Sequence, residues 1–113
     1  MATTAVGNKA ETAVAKNLLF GGFQILDQNW KTKICEIDIV ARKDGVIYFV
    51  EVKYRQGAEQ GSGLEHITPQ KLNRIKFAVR VWCHSNKWEG DCRILGAEVS
   101  GSNYEDIELV EID

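Results

Sequence analysis

The chain has 113 residues, 44% of them apolar and 27% charged, with a formal net charge of −2 at pH 7. That is the make-up of one ordinary globular domain with a single core, and it argues against a generally basic nucleic-acid binder. No apolar run reaches membrane-spanning length. The start, Met1-Ala2-Thr3-Thr4, has neither the basic-then-apolar pattern of a secretory signal nor the Gly of a myristoylation site.

The N-terminal segment, to about Leu19, reads as a helix with Ala10, Val14, Leu18 and Ala13 on one stripe, stopped by Gly21-Gly22. Glu11 sits on or beside that stripe. It has two readings: a capping box with Asn8, or a carboxylate carried across a sheet toward a site. Phe23–Trp30 follows as a first strand, with Phe23, Ile25 and Asp27 alternating against Gln24, Leu26 and Gln28.

The most informative stretch runs from Cys35 to Arg55. Two runs rich in Ile, Val and Tyr flank Asp44-Gly45, the signature of a two-residue type I′ hairpin. Lys43 then pairs with Val46. Extending that register sets Asp38 opposite Glu51 and Glu36 opposite Lys53, with all four on one face. Ile37, Ile39, Val46, Val50 and Val52 line the other face, while Val40, Ile47 and Phe49 share the polar residues' side. Opposed carboxylates repel and need a cation or a proton. A hard cation such as Mg²⁺ takes one or two protein carboxylates and fills its shell with water and phosphate oxygens. The competing reading is a surface hairpin with an ordinary Glu36–Lys53 ion pair, which leaves unexplained why strongly apolar strands carry charges in their middle. Strands apolar on both faces call for helices on both sides.

Gln56–Glu65, with three glycines, reads as a mobile loop and not a P-loop. Thr68-Pro69 opens a second helix as N-cap and first helical residue, with Leu72, Ile75, Val79 and Trp82 as its apolar stripe. Lys71 and Arg74 stand near its N-terminal end, where a phosphate is favoured. Cys92–Val99 is a strand, Ser100–Asn103 a turn, and Tyr104–Ile112 a last strand.

Eight basic residues face four acidic ones from Lys53 to Arg93, and six acidic residues with no basic ones follow from Ile94. Cys35, Cys83 and Cys92 are widely spaced, without a C-x-x-C pair or ligand-like histidines. That argues against zinc or a disulfide framework and fits reduced thiols in the cytoplasm.

Asp38 with Glu51-Val52-Lys53 across a tight hairpin resembles the core of the PD-(D/E)XK nuclease superfamily. The wider pattern is similar to the YraN family of predicted endonucleases, related to Holliday junction resolvases. It adds Glu11 with Ala13-Val14, Asn29, Glu36-Ile37-Asp38-Ile39-Val40, Tyr48 to Arg55, Ile67 to Lys71, and Arg74-Ile75. The likeness spans most of the chain, to about Val99. Cys35 and Ala10 stand where that family usually has Gly, Lys31 replaces the Arg of Asn-x-Arg, and Ile37 rather than Pro precedes Asp38. None of these departures removes a metal ligand.

The resemblance implies an α/β restriction-endonuclease-like fold: a central mixed β-sheet flanked by helices, in the order α-β-β-β-α-β-β. It implies a Mg²⁺- or Mn²⁺-dependent endonuclease acting on DNA, with branched or damaged structures among its substrates. Asp38, Glu51, the Val52 carbonyl and Glu11 would hold the metal. Glu11, Asp38, Glu51 and Lys53 would be catalytic, and Lys71, Arg74 and Arg55 would contact DNA. A homodimer would cut both strands, and no membrane partner is expected. Two further readings stand beside this one. The first is a non-catalytic nucleic-acid-binding module on a nuclease fold. The second is a structural or dimerisation domain using the acidic last strand.

Overall fold

The computed structural model describes residues 2–55 and 67–113, with side chains of the first helix from Lys9 onward. The elements are α1 (Ala2–Phe20), β1 (Gln24–Lys31), β2 (Glu36–Lys43), β3 (Val46–Tyr54), α2 (Pro69–Ser85), β4 (Cys92–Ser100) and β5 (Asp106–Glu111). The order is the expected one. The strands form one sheet, β1-β2-β3-β4-β5, antiparallel throughout except for the parallel β3–β4 pair. A parallel neighbour needs a crossover, and α2 lies in the connection that supplies it. The glycine-rich Gln56–Glu65 segment lies outside the described residues.

The two-sided apolar pattern of the strands has a helix on each face. Ala10, Val14, Ala15 and Leu18 of α1 pack on Ile39, Ala41, Val50, Leu95, Ala97 and Val99. Ala78 and Trp82 of α2 pack on Ile37, Val40, Ile47 and Phe49. Phe49 is almost wholly buried, and its ring meets Trp82 edge-on at 5.5 Å. Burying a side chain of that size contributes roughly 1.5–3 kcal/mol.

Helix α1 ends in a Schellman motif. Gly22 takes φ +92°, its N–H donates to Leu19 O at 3.1 Å, and the Phe23 N–H donates to Leu18 O at 3.0 Å. Only glycine adopts that backbone without strain. Lys43 Nζ donates to Gly21 O at 2.7 Å, so a cation from the hairpin satisfies the helix's negative end. Since α1 starts at Ala2, Asn8 lies inside the helix and cannot be the N-cap of a capping box with Glu11.

The first strand departs from simple alternation. Its pairing with β2 steps from Ile25↔Ala41 to Asp27↔Val40, leaving Leu26 as the extra residue of a β-bulge. The bulge turns Asp27 to the α2 side, where its Oδ2 accepts a hydrogen bond of 2.8 Å from Trp82 Nε1. Ile37 likewise joins the α2-side cluster instead of sharing the face of Ile39. Tyr104, at φ +59°, belongs to the turn before β5 and packs against Tyr54.

Helix α2 begins as the Thr-Pro pair dictates, with Thr68 Oγ1 accepting from Lys71 N at 3.1 Å. The fold brings together two cysteines that lie nine residues apart: Cys83 and Cys92 sulfurs are 3.7 Å apart as free thiols. Burial, and then the neighbouring Cys92, push the Cys83 thiol up to about 12. Among the described residues no helix is long and apolar enough to cross a membrane.

Candidate active site

The site begins at the turn. Asp44 and Gly45 both take positive φ, +52° and +81°, and Lys43 pairs with Val46 as a two-residue loop requires. From there the β2–β3 ladder runs as far as Ile39↔Val50. Beyond it each strand follows its other neighbour. Glu36 and Ile37 pair with Lys31 and Trp30 of β1, while Glu51, Val52 and Lys53 pair with Gly96, Ala97 and Glu98 of β4. At this fork the Val52 N–H is taken by a side chain, donating to Asp38 Oδ2 at 2.8 Å. The direct Asp38–Glu51 and Glu36–Lys53 pairs expected from the turn therefore do not form as ladder pairs. Sheet twist and the pairing of each strand with its other neighbour, β1 or β4, end the hairpin first.

Glu11 reaches the fork from the helix. With Lys43 fixed to Gly21, going back to Glu11 along α1 covers about 15 Å, and going from Lys43 back to Asp38 along β2 covers about 17 Å. The two carboxylates thus come level. Four acids converge: Asp38 feels the charges of Glu51, Glu11 and Glu36, and Glu11 those of Glu36 and Glu51. Burial, reinforced by Glu51, raises the Asp38 carboxyl from 3.8 to about 7, against the hydrogen bond from Val52. Burial also raises Glu11, with Glu36 and Glu51 adding to it; a hydrogen bond from the Asn29 side chain and the charge of Lys31 oppose this. Oε1 of Glu11 is buried with no hydrogen-bond partner among the described residues.

The cations are distributed differently from the acids. Lys71 reaches over from α2 to Glu51, Nζ to Oε1 3.5 Å. Both side chains are partly exposed, so the pair is worth at most about 1 kcal/mol. Lys53 is exposed, and its ladder neighbour is Glu98. Arg74 is exposed on α2 and lines a groove beside Glu51, whereas Arg55 lies past the end of β3, its N–H donating to Val99 O at 2.8 Å. The groove, of about 620 Å³, lies between the start of β2 and the N-terminal half of α2.

Among the described residues no group of three or more His, Cys, Asp or Glu side chains is placed so that together they could hold a metal ion. Mg²⁺ does not require such a group: one or two carboxylates suffice when substrate and water complete the shell. The donor set fits that pattern, with two neighbouring carboxylates, one of them raised to about 7, and on a third an oxygen with no hydrogen-bond partner among the described residues. Asn29, one of the residues of the family resemblance, and Glu36, expected on the face of Asp38, act at the site: the Asn29 side chain bonds Glu11, and Glu36 adds its charge to both Glu11 and Asp38.

Fold and site together define a small α/β domain with an acidic cluster at a hairpin fork and a cation-edged groove beside it. The chain belongs to the uncharacterised protein family UPF0102, whose profile matches residues 10–112. It is 37% identical over 109 residues to a UPF0102 protein of Prosthecochloris aestuarii, covering 96% of this chain and 86% of that one. It is 43% identical over 81 residues to one of Lachnoclostridium phytofermentans, covering 72% and 69%. Against one of Vibrio parahaemolyticus the identity is 40% over 77 residues, covering 68% and 64%. The YraN likeness is thereby supported at the level of the family, while the relatives' names state no activity.

Proposed function

We propose that this protein is a metal-dependent endonuclease on a restriction-endonuclease-like, PD-(D/E)XK fold, hydrolysing phosphodiester bonds in DNA. The observation that carries this reading is the convergence of Glu11, Asp38 and Glu51, where burial, reinforced by the charge of Glu51, pushes the Asp38 carboxyl up to about 7. Natural proteins seldom keep such a cluster unless it binds something positive. Asp38, Glu51 and the Val52 carbonyl would hold Mg²⁺ or Mn²⁺, with Glu11 as a further oxygen ligand, direct or through water. When bound, the metal supplies a water of lowered pKa and neutralises charge on the phosphate.

The chain's own residues do the rest. The Val52 N–H fixes Oδ2 of Asp38, so that Oδ1 would be the oxygen offered to the metal. Oε1 of Glu11, buried and without a hydrogen-bond partner among the described residues, would accept a hydrogen bond from an attacking water. Lys53 Nζ stabilises charge developing on the phosphate oxygens or takes part in proton transfer. Lys71 exchanges its contact with Glu51 for a DNA phosphate, and Arg74, with Arg55, adds further phosphate contacts. A homodimer would let two such sites cut both strands.

The test is to incubate purified protein with linear, nicked, flapped and four-way-junction DNA in Mg²⁺, Mn²⁺ or EDTA. Cleavage of at least one substrate that requires metal and is lost in Asp38→Asn is expected. Binding without cleavage on every substrate would contradict it. The Lys71–Glu51 contact, which lets protein charge balance part of the cluster, favours the non-catalytic binding module as the second reading.

A further inference from the structure

The groove beside Glu51 has an apolar wall that metal chemistry leaves unused. Ile34 and Phe77 line it and stay 73% and 39% exposed. Ile34 is held out on a hydrogen-bonded turn. Thr32 Oγ1 accepts from the N–H groups of Ile34 and Cys35 at 3.1 and 3.2 Å, and Thr32 N donates to Cys35 O at 2.8 Å. Across the groove, Lys71, Arg74 and Phe77 follow at three-residue steps, so they run along one side of α2. Two cations leading to an exposed aromatic ring is the arrangement that binds single strands, with phosphates on the cations and a base on the ring. The groove's size lies in the range of ligand pockets, roughly 300–1,000 Å³, and Glu51 is one of its walls.

We propose that this groove receives an unpaired base of the substrate strand, stacked on Phe77 and packed against Ile34, with Lys71 and Arg74 on the flanking phosphates. The proposal rests on the nuclease reading only in taking Glu51 as the edge of the cleavage site. An intact duplex must first unstack a base to fill the groove, whereas a single strand or a strand at a branch or mismatch presents one already free. The site therefore selects for unpaired nucleotides next to the scissile bond.

The experiment measures binding of the full chain, in EDTA, to a single-stranded oligonucleotide carrying one 2-aminopurine and to the matching duplex. Anisotropy reports affinity, and quenching of the probe reports stacking. The single strand should bind more tightly and be quenched. F77A should weaken single-strand binding about tenfold or more, remove the quench and leave duplex binding unchanged, while F77W keeps both. I34S, at a more exposed position, should weaken single-strand binding in the same direction and carries the test if F77A does not fold. Unchanged single-strand affinity and quench in both variants, or no single-strand binding by the wild type, would overturn the proposal. If those variants have no effect while metal-dependent cleavage persists, the groove assignment fails and the nuclease reading stands. If the F77A effect appears without any cleavage, the groove assignment stands and the nuclease reading fails.

Discussion

Asp38 is held by its backbone neighbour and repelled by its side-chain neighbours. The Val52 N–H favours its charged form, but burial and the charge of Glu51 outweigh that one bond and leave the carboxyl at about 7 in place of 3.8. A carboxyl raised in this way makes the folded state hold more protons than the unfolded chain between the two values, so stability falls as pH rises through that window. In EDTA the protein should lose stability from about pH 4 to about pH 7 and level off above it. At about 1.4 kcal/mol for each tenfold change in proton affinity, the Asp38 share is on the order of 4 kcal/mol. Asp38→Asn keeps an acceptor for Val52 and removes the charge, so it should flatten the slope and stabilise the metal-free protein at neutral pH. Urea midpoints across that range check this; an unchanged slope in the variant would show that Asp38 is not the group responsible. Lys53 is a contrasting case, exposed and beside Glu98 on the ladder. On the nuclease reading, Lys53→Ala should lower the cleavage rate by about 10² or more at saturating metal, with metal affinity equal or better. A loss of metal affinity in place of rate would assign it to binding.

At the scale of elements, the hairpin and the helix boundaries were legible because single residues dictate them. Asp44-Gly45 specifies the turn, Gly22 the end of α1, and Thr68-Pro69 the start of α2. Gly22→Ala should cost about 1–2 kcal/mol in denaturant unfolding, because alanine resists φ +92°. What the pattern could not reveal are features settled by neighbouring strands. The bulge at Leu26 spends one residue so that Asp27 can meet the Trp82 indole, and strict alternation had placed Asp27 with Ile25. Asp27→Ala leaves a partly buried indole N–H without its acceptor and should cost about 1–3 kcal/mol. A smaller loss would mean that water replaces the carboxylate. The hairpin ladder ending at Ile39↔Val50 was hidden for the same reason, since β1 and β4 claim the strands beyond it.

At the scale of the whole molecule, the two helices divide the work. Helix α1, tied at Gly21 by Lys43, brings Glu11 level with Asp38; α2 brings Lys71 to Glu51 and edges the groove. Asp38 and Glu51 stood out in the sequence as charges within apolar strands, whereas Glu11, on a helix, read equally as a capping residue until the fold set α1 across the sheet. The groove was not legible, because Ile34 and Phe77 read like any other apolar residues until the fold leaves them uncovered. The fork, the helix and the groove form one functional surface only if the acids bind a divalent cation. The most direct measurement is therefore the shift in unfolding free energy on adding Mg²⁺ or Mn²⁺, in the wild type and in Asp38→Asn. At a hundredfold excess over Kd, binding to the folded protein alone should add about 2.7 kcal/mol to the wild type and nothing comparable to the variant. A full metal-dependent shift retained in Asp38→Asn, or no shift in the wild type with either metal, would contradict the assignment of Glu11, Asp38 and Glu51 as a metal centre.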